Sequence, residues 1–394
     1  MAVHKNIKIL TWFNFFTDFK LYAPLAIIYF TKVTGSFALG MSIFSISMIS
    51  SALFEMPTGI YSDFIGRRKT VILGALAAVI YSIFYAVGTS YWILIIAALF
   101  DGLSQSFYSG NNDALLHDSL SENKNEHKYA EFLGKTSAMF QVALGVSAIV
   151  GGVLATWSFL LIMWLSVIPQ IICFYLSLKL VEPKTKSKTS GNIYTHLEDA
   201  FNNFKTNKKL RTLSISSISG YALGEASYQF QSAFYSTFWP VWAISIAKTL
   251  SNVGATISFH FSGKITKKLG EIQTVIADNI YSRFVNIFST AFPSIFSPLL
   301  MSTTSIFYGA TSVAKNSLFQ REFKSEQRAT MGSLNSFAGS IVFGIVSFLL
   351  GLVADKISPA RALLALNIIQ FANLWLYFRV FNINKPVVVS KKLE

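Results

Sequence analysis

Cysteine is almost missing from this 394-residue chain: Cys173 stands alone, so no intramolecular disulfide can form. One thiol also falls short of the simplest CxxC metal site, and no HExxH pair supplies histidines in its place. Charge is scarce as well. Only 13% of the residues are charged, against about 25% in a soluble domain, which weighs against a water-exposed surface. No GxxxxGK[ST] loop is present, so ATP held in a phosphate cradle is not the expected energy source. Neither a nucleophile–base constellation nor a metal cluster appears, and an enzyme is not expected. A cleavable signal peptide is also missing, because the first apolar run is too long and carries Asp18 and Lys20.

What is present is apolar sequence, 52% of the chain. Crossing a bilayer takes about 20 apolar residues. Runs of that kind follow one another at about 8–31, 37–57, 70–87, 92–117, 132–156, 158–180, 212–236, 240–262, 273–292, 296–318, 330–353 and 360–381. A soluble all-α protein would need a polar face at a 3.6-residue period on each helix, and most of these segments lack one. The expectation is an all-α membrane protein with twelve transmembrane helices, multi-pass, in the plasma or inner membrane.

The formal net charge of +14 reports topology rather than a nucleic-acid partner. Most cations fall in the termini and alternate loops: Arg67, Arg68 and Lys69; Lys184, Lys186 and Lys188; Lys264, Lys267 and Lys268. The opposite loops hold only Lys32, Lys356 and Arg361. Cation-rich loops stay cytoplasmic, which places both termini there and makes anionic lipid the expected neighbour. The longest polar stretch, 182–211, divides the chain into bundles at 1–181 and 212–394. Within it "NIYTHLEDAFNNF" reads equally as a short amphipathic surface helix or as a solvated linker.

Six spans on either side invite a search for a repeat. Gly59-x-x-x-Asp63-x-x-Gly66-Arg67-Arg68-Lys69 follows the second span, and Gly263-x-x-x-Lys267-Lys268-x-Gly270 follows the eighth, with the same glycine spacing. The first glycine suits close helix packing and the second a turn of positive φ. "GIYSDFIGRRK" resembles the signature loop of the major facilitator superfamily, G-x-x-x-D-x-x-G-R-R/K-x, complete in the first half and degenerate in the second. The resemblance extends over the whole chain. It implies two pseudo-symmetric six-helix bundles that alternate access to a central cavity, with Asp63 facing a helix N-terminus of the other bundle. It further implies that Arg67 or Arg68 pairs with an acid at the end of the fourth span, where "SGNNDALLHDSL" offers Asp113 and Asp118. Lys315 holds the corresponding position in the second half and is assigned to the same gate. Other signatures of the family are eroded. "LFDGLSQ" has Asp101 but no arginine, and "ALGVSAIVGG" keeps only Gly151 and Gly152 of the antiporter pattern. Gly145, Gly151 and Gly152 suit close packing.

Charges inside spans are costly, at about 2.5–3.5 kcal/mol each on insertion scales, and so mark a cavity or a fixed pair. Asp18 shares a helical face with Asn14 and Tyr22; Glu225 with Tyr221 and Tyr228; Asp101 with Gln105 and Tyr108. These are the candidates for proton coupling and for the solute cavity, since spans one, four, seven and ten line it in the resembled family. Asp278 lies on span nine, expected outside the cavity. Lys20 is two residues from Asp18 and points away from it on a regular helix, while Lys248 and Arg283 also need partners. Buried carboxylates point to the proton gradient as the drive, and the chain resembles the family's bacterial drug- and metabolite-exporter group, which implies a proton-driven exporter of such compounds; it is expected to be a monomer with no cofactor. A proton-coupled importer or passive facilitator shares every feature, and a non-transporting sensor or scaffold is the reading from another class.

Overall fold

The computed structural model describes residues 2–122, 125, 128–183, 204–320 and 328–383. Among them the regular structure is helical: α1 (Ala2–Asp18), a 3-10 turn (Ala23–Leu25), α2 (Ala26–Thr34), α3 (Phe37–Ile65), α4 (Arg67–Val87), α5 (Tyr91–Tyr108), α6 (Asn111–Ser121), α7 (Tyr129–Ala155), α8 (Phe159–Leu165) and α9 (Val167–Leu178). The second part follows with α10 (Lys208–Tyr235), α11 (Val241–Leu269), α12 (Glu271–Ala291), α13 (Ser297–Ser302), α14 (Ser305–Gln320), α15 (Arg328–Lys356), α16 (Pro359–Ile369) and α17 (Phe371–Ile383). Most of 182–211, including the proposed amphipathic helix, lies outside the described residues.

Helices are the solution because a bilayer offers the backbone no hydrogen bonds. Their ends are set by local chemistry. Ser36 caps α3, its Oγ accepting from Leu39 N, and Asn207 caps α10 in the same way through Leu210 N. Gly35, in the left-handed region at φ +74°, ends α2.

Six segments are long and apolar enough to cross a membrane by themselves: Phe37–Glu55, Arg67–Val87, Tyr91–Ser121, Phe159–Leu178, Gly332–Lys356 and Pro359–Arg379. The other crossings expected from the sequence fall on helices that are broken, short or charged, and length with apolarity does not count them. There is a physical reason. Asp18, Lys20, Glu225, Lys248, Asp278, Arg283 and Lys315 all sit on those remaining segments.

Two long antiparallel contacts join the N-terminal and C-terminal helices. α3 runs along α15, and α7 runs along α11. Small residues make the approach possible. A Cβ on Gly152 would collide with the Ser245 side chain, and one on Gly351 with the Phe37 and Ala38 backbone, while Gly151 packs on the Leu21 backbone within the first part. Gly145, expected to pack in the same way, has no described atom within 4 Å of such a Cβ. The main apolar core straddles this junction, with Leu25, Met41 and Leu94 from the first part beside Phe230, Phe234 and Phe343 from the second.

Candidate functional site

One cavity of about 960 Å³ lies between the N-terminal and C-terminal helices. Its wall carries Asp18, Lys20 and Asp101 from the first part and Glu225, Lys248, Asp278, Arg283 and Lys315 from the second. Eight charges that interrupt the apolar runs therefore converge on one space. Gln105, Tyr108, Tyr221 and Tyr228 line it too.

Asn14 and Tyr22 do not, contrary to expectation. Asn14 Nδ2 donates to the Thr136 carbonyl at 3.5 Å, against α7, and Tyr22 is buried against the Tyr85 ring. The shared face assumed a continuous helix, whereas α1 stops at Asp18 and the chain turns before Ala23. The same break corrects the orientation of Lys20. Its Nζ turns into the cavity, 3.8 Å from Asp101 Oδ1 and 5.1 Å from the centre of the Tyr81 ring. Asp101 Oδ2 accepts from Ser47 Oγ at 2.7 Å, which fixes it on both sides.

Glu225 is held differently. Its Oε1 accepts from Gln229 Nε2 at 2.7 Å, one turn along α10, and it makes no ion pair among the described residues. Lys248, the nearest cation to expect, spends its ammonium on the Tyr228 carbonyl at 2.7 Å and Gln231 Oε1 at 3.3 Å. Asp18 likewise has no hydrogen bond or ion pair on its side chain among the described residues. Two carboxylates thus face the cavity without a fixed cation.

Asp278 was expected outside the cavity and lies on its wall. The reason is that α12 presents a polar face of Asp278, Asn279, Ser282, Arg283 and Asn286 to the interior. Ser282 Oγ donates to Asp278 Oδ1 at 2.8 Å, and Arg283 Nη1 to Asn367 Oδ1 at 3.2 Å. The aromatic part of the wall is tyrosine: Tyr81, Tyr108, Tyr221, Tyr228, Tyr308 and Tyr377 line it, with Phe140 and no tryptophan. Trp92 and Trp157 instead lie exposed on the outside.

The signature loop forms a second cluster. Gly66 at φ +95° and Gly270 at φ +89° make equivalent reversals between α3 and α4 and between α11 and α12. The close packing expected at Gly59 is absent, since no described atom lies within 4 Å of a Cβ built there, nor at Gly263. Arg67 Nε lies 3.8 Å from Asp118 Oδ2, so Asp118 is the acid opposite the loop, and Asp113 makes no ion pair among the described residues. Asn111 ties the turn down from α6, accepting from Ser62 and donating to the Arg67 carbonyl. The Asp63 side chain lies outside the described residues. Sequence reading missed Glu182, whose carboxylate accepts from the backbone N–H groups of Arg67 and Arg68 at 2.8 and 2.7 Å. It caps the N-terminus of α4, where the helix dipole favours an anion. Lys315 makes no hydrogen bond or ion pair with this loop; its Nζ faces the Tyr377 ring at 5.3 Å, on the cavity wall.

The end of the molecule away from the signature loop is closed by a matching device. Asp355, at the end of α15, accepts from Ser36 Oγ, Phe37 N and Ala38 N at 2.6, 2.7 and 2.9 Å. It thereby caps α3 from across the junction. Near the signature loop no hydrogen bond or ion pair links these two helices among the described residues. Phe64 is 81% exposed, and neither Gly59 nor Gly332 has a described atom within 4 Å of a built Cβ.

Comparison with known proteins agrees with this geometry. An uncharacterised MFS-type transporter of Methanocaldococcus jannaschii is 22% identical over 377 residues, 89% of this chain and 93% of that protein. The quinolone resistance protein NorA of Staphylococcus aureus is 23% identical over 87% of this chain and 90% of its own. Among solved structures, the nucleoside transporter NupG superposes with a TM-score of 0.80 at 16% identity, covering 97% of this chain and 99% of that one. A D-xylose–proton symporter does so with a TM-score of 0.74 at 12% identity, over 95% and 97%. The Major Facilitator Superfamily model matches residues 9–347, and the chain belongs to that family of membrane transporters.

Proposed function

We propose that this transporter moves a small polar organic molecule by alternating access and draws its energy from the proton gradient. The observation that carries the reading is the cavity. It is walled by both parts of the chain and closed at one end by Asp355 on α3, and the carboxylates of Asp18 and Glu225 face it without a fixed cation. Such a carboxyl can take up a proton from one side and release it to the other as access changes. Glu225 is the proposed carrier. Asp101 is the weaker candidate, because Lys20 and Ser47 already hold it.

The wall of serines, asparagines, glutamines and tyrosines favours a hydrophilic metabolite over an amphipathic drug. Likeness to the quinolone resistance protein NorA supports export as the direction. Uptake is the second reading, favoured by the polar wall together with the fold shared with the nucleoside transporter and the D-xylose–proton symporter. The cation distribution supports a signature loop and termini in the cytoplasm; the proposal takes the protein as a monomer in the plasma or inner membrane, open to the cytoplasmic side.

The test is a counterflow screen of polar metabolites in proteoliposomes containing the full chain, followed by an imposed pH gradient. Gradient-driven accumulation of at least one solute is expected. Binding without flux would instead identify a sensor, and flux indifferent to pH a passive facilitator.

A further inference from the structure

Three cations stand on the C-terminal wall of the cavity, and they differ in what they already hold. Lys248 donates to the Tyr228 carbonyl and Gln231, and Arg283 to Asn367. Lys315 donates to nothing and makes no ion pair among the described residues; its ammonium faces the Tyr377 ring at 5.3 Å, and no carboxylate holds it. An ammonium kept inside a membrane protein without an anion is expensive, and such residues ordinarily mark a ligand or ion path.

Its neighbours are hydrogen-bond donors. A Cβ built on Gly220 would lie 3.3 Å from Asn373 Nδ2, 3.9 Å from the Tyr377 hydroxyl and 4.0 Å from Lys315 Nζ. These three groups thus converge on the space that the missing side chain of Gly220 leaves open. Asn373 is set for the role, because its Oδ1 accepts from Ser219 Oγ at 2.6 Å and its amide nitrogen is the atom turned to the void. Both walls of the niche are firm, with Asn373 5% exposed and Tyr377 3% exposed in the packed face of α17. The Tyr377 hydroxyl has no hydrogen-bond partner among the described residues, so its proton is available. Lys315, Gly220, Asn373 and Tyr377 all border the same cavity.

We infer that Lys315, Asn373 and Tyr377 form an oxoanion subsite around Gly220, and that the transported solute is anchored there by a carboxylate or phosphate group. One ammonium with two neutral donors matches a single negative charge spread over two or three oxygens. A carboxylate is the better fit, since a phosphate monoester would bring nearly twice the charge to one cation. The inference rests on the reading of this cavity as the solute's site.

The experiment uses the purified full-length transporter in nanodiscs, with thermal unfolding recorded against matched sets of probes. The sets are gluconate, glucose 6-phosphate and glucose, and lactate, glycerol 3-phosphate and glycerol, at constant ionic strength. The expected result is stabilisation by an anionic member of a set and none by its neutral member, with the carboxylate ahead of the phosphate. In Lys315→Met the apparent affinity for that anion should fall about tenfold or more, the range of a lost hydrogen bond to a charged group. Lys315→Arg should restore part of it. Gly220→Ala, which leaves all three donors in place and fills the niche, should weaken the same anion while leaving the unliganded unfolding temperature within a few degrees of native. A phosphate preference keeps the subsite and assigns it to phosphate esters. The inference is overturned if neutral members stabilise as well as anionic ones, if Lys315→Met retains the anion effect, or if no probe stabilises the native chain. Failure of the transporter reading looks different: an anion bound through Lys315 that never crosses the membrane of a proteoliposome.

Discussion

Asp101 and Glu225 are both carboxylates on one cavity wall, and their partners separate their roles. Asp101 is pinned between Lys20 and Ser47, so neutralising it leaves a half-buried ammonium unpaired. Asp101→Asn is therefore expected to lower stability by roughly 3 kcal/mol, the scale of a broken buried pair, read as a fall in unfolding temperature. Glu225→Gln keeps its contact with Gln229 in shape and removes only a titrating group. It should unfold like the native protein, retain solute binding and downhill exchange, and lose accumulation against a gradient. Full pH-driven accumulation in Glu225→Gln would move the carrier role to Asp18. The sequence marks all of these acids plainly, because each interrupts an apolar run. Their pairing was not read from the sequence, since Lys20 reaches Asp101 only through the break after Asp18; the local signal for that break was Pro24, which cannot continue a helix through Lys20.

At the scale of elements, the turn between α3 and α4 joins a readable motif to an unreadable partner. The glycine spacing foretells two equivalent reversals, and Gly66 and Gly270 make them with nearly the same positive φ. Glu182 lies more than a hundred residues from the turn it caps, and only the folded packing of α9 against α4 brings it there. Glu182→Ala frees two backbone N–H groups at the start of α4 and should cost about 1–2 kcal/mol of stability. Gly66→Val adds strain at a positive φ and sets a Cβ 2.7 Å from the Glu182 carboxylate. It should therefore lower both the unfolding temperature and the transport rate, and by more than Glu182→Ala. Equal thermal stability in native and Gly66→Val protein would remove the cap from this account. The polar residues of α17 were a missed signal of another kind. Asn373 and Tyr377 stand four apart in an apolar helix, the spacing of a shared face.

At the scale of the whole molecule, apolar length reveals a multi-pass membrane protein and finds six of the twelve crossings expected; most of the charged cavity residues sit on the segments it leaves out. The orientation proposed from the cations is directly checkable. Cys173 is buried, so cysteines introduced singly at Lys264 and at Lys356, both exposed, supply the only reactive thiols. A membrane-impermeant reagent should label Lys264→Cys only from the cytoplasmic side and Lys356→Cys only from outside; the reverse pattern would invert the topology. The two ends of the molecule also differ, with Asp355 binding α15 to α3 at one and no such link between these helices among the described residues at the other. That asymmetry is what a carrier caught on one side of its cycle shows. The central claim, that solute and protons cross through one cavity, is tested most directly by internal pH. Proteoliposomes loaded with a pH-sensitive dye and containing the native chain are given a solute identified by the counterflow screen, with no pH gradient imposed. The account predicts a change in internal pH that scales with solute flux and vanishes in Glu225→Gln while downhill solute movement continues. Solute flux in the native protein with no movement of protons would contradict it.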